Sequence, residues 1–155
     1  MLVKDKRGNE LLELIRFDEA ELASVSPLTH ALVVARREGS RLFVFNRYRQ
    51  CWELAGGVID PGETARQCAA RELLEESGIQ CDADELRFVG AMKFLLQPSY
   101  DSPSVRVEYG ALYAVAIVSG AAFVPNEEIA AVSWWNGVDE IGEIAEIDAK
   151  LSELG

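Results

Sequence analysis

Glu72, Glu75 and Glu76 place three carboxylates within five residues of a stretch, Thr64 to Ser77, that contains neither glycine nor proline. On a helix these positions are i, i+3 and i+4, so all three side chains share one face. They also fall in the last turns, where the helix dipole disfavours negative charge. Each like-charge pair costs a few tenths of a kcal/mol on an exposed helix. A solvated acidic face balanced by Arg66 and Arg71 is the bland account of such a cluster. Two neighbouring features favour a divalent cation instead. Ala55-Gly56-Gly57, just upstream, allows close backbone approach and leaves a carbonyl free to join a metal shell. Glu63, just before the helix, is placed to pair with Arg71 and leave the other carboxylates for the cation. Hard oxygen donors of this kind suit Mg2+ or Mn2+, which keep open positions for phosphate oxygens and water.

The elements that must position these groups can be read around them. Thr64 to Ser77 is rich in Ala, Arg, Glu and Leu, and Gly78 supplies a C-terminal stop. Its opposite face, Ala65, Cys68, Ala69 and Leu73, is small and apolar, suited to packing closely on a sheet. Upstream, Leu28 to Arg36 and Arg41 to Asn46 read as an antiparallel pair about the turn Glu38-Gly39-Ser40. Trp52-Glu53-Leu54 is a short strand leading into the glycine-rich loop. Downstream, Leu86 to Leu95, Val105 to Val118 and Ile129 to Trp135 read as strands, with turns at Pro98 to Pro103 and at Gly120 to Asn126. Val138 to Leu154 reads as a helix. At the N-terminus, Met1 to Lys4 and Glu10 to Phe17 flank the turn signal Asp5 to Asn9 and predict a hairpin, with a short helix over Glu10 to Ile15 as the other reading. Asp18 is placed to cap a helical turn through Leu22 that Pro27 ends. The pattern predicts one α+β domain over residues 1–155, with residues 1–27 as an N-terminal hairpin extension and a mixed central sheet.

Bulk properties narrow the function classes. A chain of 155 residues fits a single domain with a substantial core. Its 49% hydrophobic and 26% charged residues are those of a globular protein, and no apolar run approaches a membrane span. The N-terminus turns polar at once, unlike a secretory signal. Three cysteines, Cys51, Cys68 and Cys81, lack metal-type spacing and fit reduced thiols in a cytoplasmic protein. A formal net charge of -11 argues against a partner that is a nucleic-acid polymer. The charge is uneven, because five arginines between Ala35 and Gln50 face a single acid, Glu38. A solvated hairpin accounts for most of them, leaving one or two to reach an anionic substrate.

The segment Gly57 to Ile79 resembles the signature of the Nudix hydrolase family. Gly57, Glu63, Arg71, Glu72, Leu73, Glu75, Glu76, Gly78 and Ile79 fill every defined position of that motif. The likeness extends from Leu28 onward through the flanking strands and through Glu127-Glu128 to Trp134. It implies an α/β/α sandwich and a Mg2+- or Mn2+-dependent hydrolase that cleaves a diphosphate linkage in a nucleoside diphosphate derivative. By position, the resemblance makes Glu72 and Glu76 the principal metal ligands, with the Gly56 carbonyl completing the shell and Glu128 as a further metal-binding acid. Simple loop solvation is the competing account of Glu128. Arg71 and Glu63 become orienting residues, and the general base is drawn from Glu75, Glu76, Glu127 and Glu128. The family often carries a proline where this chain has Ala55, a departure that removes no ligand.

Substrate choice rests outside the motif. Arg47 and Arg49 are candidates for terminal phosphates, and Trp52 and Tyr109 for stacking on a base, although each aromatic fits packing equally well. The leading expectation is a nucleoside triphosphate, including an oxidised one, with ADP-ribose or a nucleotide sugar as the alternative. The ADP-ribose branch often has a proline beyond the motif, and here the first is Pro98, 19 residues past Ile79. A non-catalytic nucleotide-sensing module is the reading from a different class. Such modules usually lose motif glutamates, and none is missing here. The apolar hairpin residues Leu11, Leu12, Leu14 and Ile15 fit either the protein's own sheet or a homodimer contact.

Overall fold

The computed structural model describes residues 1–118 and 122–155, so the turn expected over Gly120–Asn126 lies partly outside the described residues. The N-terminal hairpin forms as β1 (Val3–Lys4) and β2 (Glu10–Ile15), and β2 is a strand, not the short helix. Asp5 closes the turn between them, its Oδ1 accepting the N–H groups of Arg7 and Asn9 at 2.9 Å each. This hairpin extends the protein's own sheet, since β2 pairs antiparallel with β7 (Arg87–Leu96). The following Glu19–Ser24 segment is a 3-10 turn, and Asp18 makes no side-chain capping bond to it.

At the centre lies β3 (Leu28–Arg37), parallel to β8 (Arg106–Ala116) along one edge. Its other edge is shared. β6 (Ala55–Val58) pairs with it over His30–Val33, and β4 (Ser40–Asn46) pairs only at Arg36↔Arg41 and Arg37↔Ser40. The expected antiparallel pair is therefore confined to the turn. β4 peels away because β6 takes the hydrogen-bonding edge that β4 would have used, and it pairs instead with β5 (Cys51–Glu53) and β9 (Ile129–Trp135). The glycine-rich Ala55-Gly56-Gly57, expected as a loop, is a strand for the same reason. A Cβ on Gly56 would overlap the Leu32 side chain and come within 2.8 Å of Leu32 Cα. Glycine is what allows β6 so close to β3.

Helix α1 (Ala65–Ser77) matches its expected span. Thr64 caps it by accepting the Gln67 N–H at 3.1 Å, while the Gln67 side chain accepts the Thr64 N–H at 3.0 Å. Gly78 ends it in the left-handed region at φ 78°, donating its N–H to the Leu74 carbonyl. The small face of α1, with Ala65, Cys68, Ala69 and Leu73, packs on one side of the sheet against Ala31, Val33, Ala111 and Tyr113. The other side buries Leu11, Val34, Phe43, Met92 and Leu112 beneath Ile147 and Leu151 of α2 (Glu146–Leu154). The result is the expected α/β/α arrangement around a mixed sheet.

The C-terminal helix begins at Glu146, not Val138. Gly142 adopts φ 113°, and the backbone around it is claimed by β5. Ile141 O accepts the Trp52 indole N–H, Glu143 O accepts the Trp52 amide, and the Ala145 N–H donates to Trp52 O. Among the described residues no helix is long and apolar enough to cross a membrane.

Candidate active site

The glutamate face of α1 meets the glycines of β6. A Cβ on Gly57 would lie 2.6 Å from Glu72 Oε1, so only glycine leaves room for that carboxylate against the strand. Glu76 is buried, and its Oε1 accepts the Gly56 N–H at 2.8 Å. Gly56 stands opposite Leu32, while the flanking Ile59 N–H donates to Thr29 O. Given the alternation of an antiparallel ladder, Gly56 is then a non-hydrogen-bonded position, and its N–H and C=O both point away from β3. The carbonyl therefore opens on the same side as the amide that meets Glu76.

Arg71 is the hub of the surrounding charges. Its Nε donates to Glu63 Oε2 at 2.7 Å and its Nη2 to Glu63 Oε1 at 2.9 Å, a two-pronged pair that ties the turn before α1 to the helix. Glu63 also accepts the Asp60 N–H, and together these bonds hold its carboxyl down to about 2, with the Arg71 contact the larger cause. The pairing is less exclusive than expected. Arg71 Nη1 also reaches Glu72 at 2.9 Å and Glu75 at 3.2 Å, and Asp60 lies 3.4 Å from Nη2. Burial raises the Glu72 carboxyl, an effect Arg71 opposes. Glu76 has no such arginine. Burial carries its carboxyl well above the usual range, and the negative charges of Glu72 and Glu128 add to the rise.

Glu128 reaches the same cleft from the far side. Its carboxylate is 3.4 Å from Asn46 Nδ2, and its loop is tied to α1 by the Asn126 side chain donating to Glu75 O. A cleft of about 480 Å³ is lined by Gly56, Gly57, Asp60, Glu72, Glu75 and Glu128 among others. Among the described residues no three acidic, histidine or cysteine side chains converge tightly enough to ligate an ion as they stand. Glu72 is turned to Arg71 and Glu76 to the Gly56 amide. The donor chemistry nonetheless fits a hard divalent cation, with several carboxylates and one outward carbonyl in a setting that penalises uncompensated negative charge.

The substrate candidates separate. Arg49 lines the cleft, its Nε donating to Glu53 Oε2 at 2.5 Å and its Nη2 to Oε1 at 3.0 Å. Arg47 does not line it, and its Nε instead braces the Asn126 carbonyl at 2.8 Å. Trp52 is drawn into the core opposite α1. Its indole donates to Ile141 O at 2.7 Å and stands edge-on to Phe45 with centroids 5.3 Å apart. Tyr109 shares the strand face of Ala111 and Tyr113, which is the α1 side of the sheet. His30 and Leu32, which line the cleft, are on the other side. The arginine-rich stretch is likewise dispersed, with Arg37 over Trp134 and Arg41 over Trp135. Arg36 donates to the carbonyls of Ser152 and Gly155.

Sequence reasoning missed the residues that enlarge the site. A second cavity of about 590 Å³ adjoins the cleft, and the two share His30, Leu32, Arg49, Glu53 and Asp148. Asp148, on α2, accepts the Leu54 N–H at 2.8 Å through Oδ2. Burial, with Glu53 nearby, pushes its carboxyl up to about 7. His30 Nδ1 sits 2.7 Å from Thr29 Oγ1, and burial lowers the ring's pKa. Neither residue belongs to a motif, and only the pairing of distant strands brings them beside the glutamates.

Fold and site together define a class, and comparison with known proteins agrees. The family model for the NUDIX domain matches residues 27–154, and the chain belongs to the Nudix family. It is 34% identical over 97 residues to a MutT-like protein of Streptomyces ambofaciens, covering 57% of this chain. It is 31% identical over 121 residues to an uncharacterized Nudix hydrolase of Rhodococcus erythropolis, covering 72% of this chain. The matched stretch spans 63% of the length of each of these curated relatives. The fold is similar to the crystal structure of a Bacillus subtilis pyrophosphohydrolase, with a TM-score of 0.70 and 21% identity, covering 99% of this chain and 96% of that one.

Proposed function

We propose that the protein is a divalent-metal-dependent pyrophosphohydrolase that cleaves the diphosphate linkage of a nucleoside diphosphate derivative, with a nucleoside triphosphate as the leading substrate class. The observation that carries this reading is the juxtaposition of Glu72 with Gly57 and of Glu76 with Gly56 in a cleft open to Glu75 and Glu128. Family membership and the complete set of box glutamates support hydrolysis over a purely sensing role. Glu72, Glu76, Glu128 and the Gly56 carbonyl are the proposed holders of Mg2+ or Mn2+, the ions that suit an all-oxygen donor set. The chemistry such an ion supplies when bound is neutralisation of the diphosphate and a lowered pKa for the attacking water.

The protein's own groups do the rest. Arg71, fixed by Glu63, orients Glu72 and Glu75 and keeps the β6–α1 junction rigid. Glu75 is the most exposed of the three box carboxylates on α1, and the oxygen that Arg71 does not touch is placed to accept the proton of the attacking water. Arg49 at the junction of cleft and cavity offers positive charge to the phosphate tail, and the adjoining cavity has the size for a nucleoside.

The test is release of phosphate or pyrophosphate from a nucleotide panel with Mg2+, comparing wild type with Glu76→Gln. Turnover should fall on the order of 10² to 10⁴-fold in the variant. A wild-type rate no higher than the variant's on every nucleotide would refute the hydrolase reading. ADP-ribose and nucleotide sugars belong in the panel, and a preference for them would replace the triphosphate reading without touching the cleavage chemistry.

A further inference from the structure

Asn46, at the end of β4, is the one fully buried side-chain amide among the described residues, and no step of the proposed chemistry touches it. Burying an amide is costly unless its hydrogen bonds are made. The carbonyl half is satisfied twice, because Oδ1 accepts the Tyr48 N–H at 2.9 Å and the Arg49 N–H at 3.0 Å. Those two donors settle which way the amide faces, since the flipped orientation would set its own N–H groups against theirs. The Nδ2 group therefore points the other way, and the acceptor it meets is Glu128 Oε1 at 3.4 Å. The contact is longer than an optimal bond, and polar contacts of this kind shorten when a site is loaded. The Glu128 backbone is held independently, its N–H donating to Asn126 Oδ1 at 2.9 Å and its carbonyl accepting the Arg47 N–H at 2.7 Å. Among the described residues Asn46 Nδ2 is the one donor to its carboxylate. One buried amide thus joins the turn that presents Arg49 to the acid that faces Glu72 and Glu75 across the cleft.

We propose, resting on the metal-site reading above, that Asn46 is a positioning residue that aims the Glu128 carboxylate at a divalent cation in the cleft. Donation to one carboxylate oxygen restricts the rotamers of a flexible glutamate and leaves the other oxygen for the ion. The neutrality of the donor is what suits it to this task. Glu63, which serves as scaffold, is held by the Arg71 guanidinium on both oxygens, and its charge is cancelled there. An amide orients a carboxylate without neutralising it, so Glu128 keeps its full charge for the cation. The turn amides of Tyr48 and Arg49 fix Asn46, and Asn46 in turn fixes Glu128. No spacing in the sequence announces this role, because Asn46 and Glu128 lie 82 residues apart.

The experiment is calorimetric titration of Mn2+ into the full chain for wild type, Asn46→Ser, Glu128→Gln and the double variant. Serine keeps an oxygen that accepts turn N–H groups, so the turn is retained, while its short hydroxyl does not reach Glu128. Asn46→Ser should weaken Mn2+ binding on the order of tenfold or more when Glu128 is present. With Glu128→Gln already in place, the same change should cost less than about twofold. Mn2+ affinity in Asn46→Ser within about twofold of wild type, or an equal loss in both backgrounds, would overturn the proposal. Absence of Mn2+ uptake by wild type would overturn the metal reading as well, whereas uptake that ignores Asn46 overturns this inference alone. A measurement on the unaltered protein covers a variant that fails to fold. In heteronuclear NMR the Asn46 side-chain amide should shift on addition of Mg2+, while that of Asn136, which donates to Asp139, stays in place. An Asn46 signal that does not move would equally overturn the proposal.

Discussion

At the scale of single residues the site is organised by which carboxylates have a cation and which do not. Glu63 has Arg71 on both oxygens, while Glu76 has only a backbone amide. The first sits far below the usual carboxylate pKa and the second far above it. For Glu63 the consequence is a pH-dependent stability. Its folded pKa of about 2 lies below the ordinary 4.5, so the stabilisation is fully present above about pH 5 and is lost as pH falls toward 2. Glu63→Gln should therefore melt roughly 2–4 °C below wild type at neutral pH, the shift expected for about 1 kcal/mol. The gap should narrow steeply between about pH 5 and pH 2.5 in thermal melts followed by circular dichroism. A gap that stays constant across that range would mean the pair contributes nothing through its charge. Sequence reasoning identified this pair because partners eight residues apart across a turn and a helix start are local. It did not foresee that Arg71 would also touch Glu72 and Glu75, since that depends on rotamers chosen by the packed cleft.

At the scale of elements, α1 was the most legible. Helix formers, a Thr64 cap and a Gly78 stop all agree, and each acts within its own turn. Thr64→Ala should remove the reciprocal bonds with Gln67 and cost about 1 kcal/mol, read as a lower urea midpoint with an unchanged slope. An unchanged midpoint would show that α1 is held by its packing alone. β6 and the start of α2 were misread for complementary reasons. Glycines at 56 and 57 look like a loop locally, yet β3 offers them a hydrogen-bonding edge that only a strand without side chains on that side can approach. The acidic and aliphatic pattern from Val138 looks helical, yet Gly142 and the bonds to Trp52 hold its first eight residues as an extended strap. In both cases tertiary pairing overrode local propensity.

At the scale of the whole molecule, the N-terminal hairpin extends one edge of the sheet, α2 closes one face and α1 closes the other. Leu11 on β2 is fully buried in the core on the α2 side, so the hairpin is part of that core despite lying outside the matched domain. Leu11→Ala should cost about 2–5 kcal/mol in urea unfolding, and a loss under 1 kcal/mol would mean the hairpin is a dispensable attachment. A second anchor ties the same N-terminal segment to the α1 face, where Glu19 accepts from Arg66 and from the buried Tyr113 hydroxyl. The amino-acid sequence by itself determined the candidate machinery, because spacing along one helix decides which glutamates share a face and which arginine can reach back to Glu63. Only the tertiary structure decided what surrounds that machinery. It withdrew Trp52 into packing, set Tyr109 on the opposite sheet face from the cavity, turned Arg47 to the Asn126 loop, and brought His30 and Asp148 to the cavity. Those positions depend on which strands pair and where α2 lands, and contacts across 79 to 94 residues leave no period or spacing to read.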